Sequence, residues 1–410
     1  MSYYILPKNN INIVIEPLTE ESDNKQNPFV SHSLHYYLNK LNDQLKIIET
    51  ADFLLLNKAI NSYEFIFTTV PNCNLSVGKL KPFSNLFYVL MEIKSIFKLF
   101  DSFSDENINV LIYGKNSKSV IEFLNIMRED REDKNVEEND GVIMKNIKRG
   151  FENVDNFRNF TYDFLYYELD DEDYKDETNK YILGMIYILC NIIFNQNVNG
   201  ISIIKIHNIF YRPLIEILHI LSSFYDKVYI IKPIISNVLS SERYIICKNF
   251  LLNNEDNYLY NIFLCIFNKV LTKEGENIVS LLKEEVSYYF VNKIEESNII
   301  IGYQQIEYID QLINLYNNKN KEEKMDILKR KNIQKCIQWC DKLRIPYNKF
   351  TDKINIFLNN EKCLEGSINI FLQPKENENS GLVIENDGVN NEDIFIIIED
   401  DGGYDLARSL

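Results

Sequence analysis

Between Gly200 and Phe250 the apolar residues change their spacing several times, and that change restricts the chain to an α/β sheet. Ile201, Ile203 and Ile204 alternate with Ser202 and Lys205, the pattern of a buried strand that ends in a charge. Val228 to Ile231 repeats it before Lys232-Pro233, and Tyr244 to Cys247 gives a third run after a polar turn, Ser236 to Glu242. Between the first two runs, Leu214, Ile217, Leu218, Leu221 and Phe224 recur at helical spacing. Strand, helix, strand, turn, strand is the closing half of a doubly wound sheet. Ligands of such sheets sit beyond the carboxyl ends of the strands, where Lys205 falls. A lysine ending a strand is equally often no more than a solvated charge.

The same residues carry a resemblance. Lys205, then Lys232-Pro233-Ile234-Ile235-Ser236, then Ser241-Glu242-Arg243-Tyr244 is similar to the signature of the FtsJ-like RNA 2′-O-methyltransferases: a lysine ending one strand, K-P-x-x-S, and S-x-E-x-Y opening the last hairpin. Members encoded by large DNA viruses are closest in character. The resemblance implies a Rossmann-like methyltransferase sheet, S-adenosylmethionine as cofactor, and RNA, above all capped mRNA, as partner. It also implies a Lys-Asp-Lys-Glu tetrad that activates a ribose 2′-hydroxyl, with Lys205 as base and Glu242 as the glutamate. An unperturbed lysine, with a pKa of ~10.4, is a poor base at neutral pH and must be shifted down by burial or by neighbouring positive charge. A carboxylate shifts it the other way, so Glu242 is read as orienting the amine and the ribose.

For the tetrad's acid, Tyr162-Asp163-Phe164-Leu165-Tyr166-Tyr167-Glu168 has the shape of the family's aspartate-bearing strand and puts Glu168 at the catalytic position. Asp170 and Asp171 serve instead if the strand is longer, and an acidic solvated loop from Glu168 to Glu177 is the plain alternative. For the first lysine, Val89-Leu90-Met91-Glu92-Ile93 matches the family's K-L-x-E-I with valine at the lysine position. Lys79, Lys81, Lys94 and Lys98 are the lysines near it. The cofactor strand reads Asn109-Val110-Leu111-Ile112-Tyr113-Gly114, followed by Lys115-Asn116-Ser117-Lys118-Ser119 and a helix from Val120 to Met127. Gly114, Asn116 and Ser117 are its cofactor-binding candidates. Only Gly114 remains of a glycine-rich turn that would let the backbone approach a nucleoside. Two readings stay open, a diverged binding turn or an ordinary strand-to-helix turn.

With 410 residues and 45% hydrophobic content the chain can bury a large core. The boundaries expected are an amino-terminal extension over 1–75, the methyltransferase domain over 76–255, a helical region over 256–348 and an acidic, β-containing region over 349–410. Within these the pattern gives a helix near Ser33 to Ile48, a strand near Tyr63 to Val70, an exposed loop or helix end over Arg128 to Asp140, helices at Tyr258 to Leu271 and Ile306 to Tyr316, and strands at Ile354 to Leu358, Ser367 to Leu372 and Ile394 to Ile398.

The longest apolar run, Tyr181 to Phe194, is shorter than the ~18 residues of a membrane span and reads as a buried helix. No membrane partner is expected, and the amino terminus has no signal-peptide pattern. Seven cysteines, an odd number, point to reduced thiols in a cytoplasmic setting. Cys336 and Cys340 at i, i+4, and His32 and His35, lack the partners of a zinc site, so no metal is expected.

A net charge of -16 sits awkwardly with RNA binding. From Thr351 to Leu410, however, thirteen acidic residues face four basic ones, and this acidic end suits a basic protein partner. The stretch from Lys319 to Arg344 is basic, either a solvated face or a phosphate track. Tyr3, Tyr4, Tyr36 and Tyr37 are candidates to stack a cap base. Two functions follow: a cap 2′-O-methyltransferase, or a catalytically inactive relative holding RNA or protein in a viral transcription or virion complex.

Overall fold

Strands buried on both faces need nearly continuous apolar runs, and the chain's richest runs form the centre of a seven-stranded sheet. In the computed structural model the described residues are 3–9, 13–21, 27–71, 73–104, 106–129, 131–138, 161–169, 178–252, 276–318 and 321–348. The strands are β1 (Tyr3–Ile5), β3 (Asn109–Tyr113), β4 (Lys134–Glu138), β5 (Tyr162–Glu168), β6 (Gln196–Ile206), β7 (Tyr225–Ile231) and β8 (Arg243–Phe250), in the order β1-β7-β8-β6-β5-β3-β4. β4, β3, β5 and β6 run parallel, and β8 is inserted antiparallel between β6 and β7. This is the Rossmann-like methyltransferase sheet expected from Gly200 to Phe250. A separate pair, β2 (Ile15–Glu21) and β9 (Glu276–Leu282), is antiparallel.

The helices are α1 (His32–Leu45), α2 (Thr50–Ile60), α3 (Leu86–Phe97), α4 (Ser117–Met127), α5 (Thr178–Asn195), α6 (Arg212–Phe224), α7 (Tyr288–Tyr316) and α8 (Lys321–Lys342). Pro213 presets the backbone of the first turn of α6. Alternation along the strands serves two faces. Leu111, Tyr113, Leu165, Tyr167 and Ile204 join one apolar cluster with α5 and α6. On the other face Phe164 meets Phe100, which meets Phe123 of α4. Glu168 and Lys205 each follow a residue of the first cluster and so belong to the second face.

Helix α7 packs against α1, α2 and α8, and on α6, which lies on the sheet. Leu239, from the β7–β8 loop, is buried among Ile48, Leu56, Ile60, Ile309 and Leu312, so α2 and α7 close over that loop. The described residues all lie within one compact unit, Ser2–Asn348, and none of their helices is long and apolar enough to cross a membrane.

Two local expectations are corrected. Tyr63 to Val70 is no strand: Glu64–Ile66 forms a 3-10 turn, because the amides of Ile66, Phe67 and Thr68 find acceptors at Tyr63 and Glu64, leaving none for a ladder. Of Arg128 to Asp140, read as an exposed loop or helix end, the helix end holds at Arg128, which caps α4, whereas Lys134–Glu138 forms β4 and not loop. Arg128 is buried and pairs with Asp133 at 2.5 Å while donating to the carbonyls of Phe103 and Glu106, and this clamp delivers β4 to the sheet edge. In the basic stretch, Lys329 donates to the Pro71 carbonyl and Lys335 to Ser62, so both hold structure. Cys336 and Cys340 are free and buried. Lys319, Asp170, Asp171, Tyr258 to Leu271, the three carboxyl-terminal strands and the acidic end lie outside the described residues.

Candidate active site

Three of the residues singled out by sequence meet at one edge of the sheet, Glu168 and Lys205 at the carboxyl ends of β5 and β6 and Glu242 just before the amino end of β8. Glu168 is the register partner of Lys205 across β5 and β6, and Lys205 is that of Tyr244 across β6 and β8. The Lys205 ammonium donates to Glu168 Oε1 at 2.8 Å and lies 3.5 Å from Glu242 Oε2. Glu168 is almost wholly enclosed, whereas Lys205 and Glu242 keep 14% and 16% of their side chains exposed. The trio is therefore open to a reactant from the side of the lysine and Glu242. Burial pulls the Lys205 pKa down, but Tyr244, Glu242, Glu168 and the hydrogen bond to Glu168 outweigh it, and the amine is held well above its ordinary value. With no other group in the site Lys205 is an ammonium clamped by two carboxylates.

The loop carrying Glu242 is fastened from within by Lys232. Its ammonium donates to the carbonyls of Asn237 (3.1 Å), Ser240 (2.7 Å) and Glu242 (3.0 Å). Burial pushes its pKa down to about 8; Glu242 opposes this, and Arg243 and Lys205 add to it. The sequence showed Lys232 only as a motif letter, while the structure makes it a second buried cation beside the trio. Arg243, fully buried, donates to Asn298 Oδ1 of α7 at 2.7 Å. Asn61 accepts from the Val238 amide, and Gln305 donates to the Leu239 carbonyl. Asn61, Asn298 and Gln305 had no sequence signal, since each acts on a segment far away in the chain.

Glu92, the glutamate of the V-L-M-E-I segment, accepts from the amides of Ile234 and Ile235 at 3.2 and 3.3 Å. Val89 is buried core, so no cation stands at its position. Lys79 and Lys81 are exposed, and Lys98 lines a cavity of about 370 Å³ with Tyr3, Asp101, Tyr229 and Lys248. Tyr4 is buried, while Tyr36 and Tyr37 are exposed on α1.

Burial raises the Glu92 carboxyl to about 7 from 4.5, against the two amide bonds and Lys342. Because the folded-state pKa lies above the unfolded one, this group's stabilisation is complete below pH 4.5 and is lost as pH rises through about 7. The loss is about 3 kcal/mol at 1.36 kcal/mol per unit. Urea denaturation at pH 5 and pH 8 is expected to show wild type weaker at the higher pH and Glu92→Gln nearly flat. An unchanged slope in the variant would place the titrating group elsewhere.

On the side of β3, two of the three cofactor-loop candidates, Gly114 and Asn116, turn directly toward Glu168. Gly114 has φ +139°, and a Cβ there would lie 2.8 Å from Glu168 Cβ. The Asn116 amide donates to both Glu168 oxygens at 3.0 Å, and Ser117 opens α4, buried. Glycine is thus needed at 114 to admit Glu168. β4 ends at Glu138, in register with Tyr113.

No family model matches the chain. A cap-specific mRNA (nucleoside-2′-O-)-methyltransferase 1 of Dictyostelium discoideum is 32% identical over 139 residues, which are 33% of this chain and 18% of that protein. The chain thus spans less than a fifth of the curated relative it matches. Among solved structures, a ribosomal RNA methyltransferase of Plasmodium falciparum aligns with 42% of this chain and 99% of its own, at 15% identity and a TM-score of 0.31. Human methyltransferase-like protein 13 in complex with SAH aligns with 51% and 99%, at 11% identity and 0.26. At those scores the fold rests on the strand order itself. By that order, by the Lys205, Lys232–Ser236 and Glu242 motifs and by the similarity to the Dictyostelium protein, the chain resembles the FtsJ-like RNA methyltransferases.

Proposed function

We propose that this protein methylates a ribose 2′-hydroxyl of RNA, at the cap-proximal end of mRNA, using S-adenosylmethionine. The observation that carries the reading is the Glu168–Lys205–Glu242 cluster at the strand ends. The residues present suit the cofactor by charge, because two carboxylates against one ammonium favour a sulfonium cation nearby. Glu168, Asn116 and Gly114 would border it. An adenosyl sulfonium has no pyrophosphate, so the second glycine of dinucleotide turns, which admits that group, is not required.

When bound, S-adenosylmethionine supplies a methyl on positive sulfur, which passes to the ribose oxygen and leaves a neutral thioether. Lys205 Nζ takes the hydroxyl proton, for which it must first release its own. The two glutamates resist that release and keep the amine aimed, while positive charge brought into the site favours it. Below the raised Lys205 pKa the neutral amine is the minor form, so the rate is expected to climb about tenfold per pH unit through neutrality.

The assay is transfer of labelled methyl to capped RNA whose first nucleotide bears a 2′-hydroxyl, compared with the same RNA already 2′-O-methylated. Label on the first substrate alone, rising with pH, is expected. No label on either, from folded protein that gives no heat with S-adenosylmethionine in calorimetry, would overturn the proposal. A flat pH profile with active enzyme would remove Lys205 as base.

A further inference from the structure

The chain is acidic overall, yet the surface next to the candidate active site is not. Lys79, Lys81, Lys115 and Lys118 are all exposed, and the last two flank Asn116, whose amide holds Glu168. The Phe83 ring stands 55% exposed, with the Lys118 ammonium 5.2 Å from its centroid. A large exposed apolar ring costs solvation unless something covers it in use.

The segment that carries this ring is tied down. The Phe83 amide donates to Glu122 Oε2 at 2.7 Å, Ser84 and Ser119 share a hydroxyl bond of 2.8 Å, and Asn85 donates to the Ile235 carbonyl in the K-P-x-x-S loop. Upstream, the Lys79 amide bonds Pro346 and the Tyr88 hydroxyl bonds the Leu80 carbonyl. An exposed aromatic ring on a segment tied by hydrogen bonds, with one lysine against it and others exposed nearby in sequence, is what stacks a nucleobase while phosphates are neutralised beside it. Stacking is tolerant of base identity, so the fit is to single-stranded RNA rather than to one nucleotide.

We infer that Phe83, with Lys118 and its neighbouring lysines, is a stacking platform for the single-stranded RNA segment that flanks the modified ribose. Its placement relative to a modified ribose rests on the function proposed above; RNA binding to it does not.

The test is fluorescence anisotropy with a capped ten-nucleotide RNA labelled at its 3′ end, without S-adenosylmethionine. Phe83→Ala is expected to weaken binding roughly tenfold, while Phe83→Trp keeps it. Lys118→Ala is expected to weaken binding and flatten the salt dependence by about one phosphate contact. Tyr303→Ala, which removes an equally exposed ring on α7, serves as control and is expected to bind as wild type. Failure of wild type to bind the RNA, unchanged binding by Phe83→Ala, or equal weakening by Tyr303→Ala would each overturn the platform. If binding depends on Phe83 but no methyl is transferred, the catalytic reading falls and the platform stands. If methyl is transferred and Phe83→Ala keeps the wild-type KM for RNA, the platform falls alone.

Discussion

Lys205→Ala is expected to lower methyl transfer by about 10²–10⁴, the usual contribution of a positioned base, with affinity for S-adenosylmethionine nearly unchanged. The substitution also leaves the enclosed Glu168 carboxylate without its ammonium, keeping only the Asn116 amide. Removing one partner of a buried pair costs about 3–5 kcal/mol, so lost activity alone would not separate chemistry from folding. The pair Lys205→Ala with Glu168→Gln does. Neutralising Glu168 is expected to restore much of the stability in urea denaturation, because no uncompensated charge remains, while activity stays lost. Wild-type turnover by Lys205→Ala would sink the base assignment. Recovery of turnover in the double variant would make Lys205 a partner of Glu168 and nothing more.

Gly114→Ala is expected to be among the most destabilising single changes in the sheet, at about 2–4 kcal/mol. The backbone there has φ +139°, and the new Cβ would meet Glu168 Cβ at 2.8 Å and the Glu168 carbonyl at 3.2 Å. A side-chain-bearing residue in so sparsely populated a conformation costs about 1–3 kcal/mol before any clash. Glu168→Ala is not expected to rescue it, since the obstructing atoms are the Cβ and backbone that alanine retains. Thermal and urea denaturation would show this without any substrate. A variant as stable as wild type would mean that β3 and β5 can separate at their carboxyl ends, which would undo the close approach on which the Asn116–Glu168 bond depends.

How far the sequence could be read follows from what each feature depends on. Lys205 and Glu168 were legible because they close strands whose apolar alternation is local, and Glu242 because the K-P-x-x-S and S-x-E-x-Y segments lead into the last strand. The structure brings those three together. Val89 was legible as a departure from the expected lysine, and the structure makes it core. Tyr63 to Val70 misled because aromatic and β-branched residues favour strands, whereas turn hydrogen bonds decided the segment. Lys134–Glu138 was hidden as a strand because its charged stretch reads as a loop or helix end, and only tertiary packing lets Arg128 and Asp133 neutralise each other inside. The supports of the β7–β8 loop by Asn61, Glu92, Asn298 and Gln305 could not be read at all. Each joins residues far apart in sequence, through side chains with no periodicity.

The register that pairs Glu168 with Lys205, and Lys205 with Tyr244, has a consequence for how such a site survives change. Neighbouring strands are held ~4.8 Å apart by their backbone ladders, so the spacing of these charges is a property of peptide groups that every sequence shares. Substitution can exchange one carboxylate for another or strip a turn of its glycines, and the surviving groups still stand at the same intervals. A designer could therefore treat the three strand ends as fixed sockets and vary the chemistry seated in them without rebuilding the scaffold.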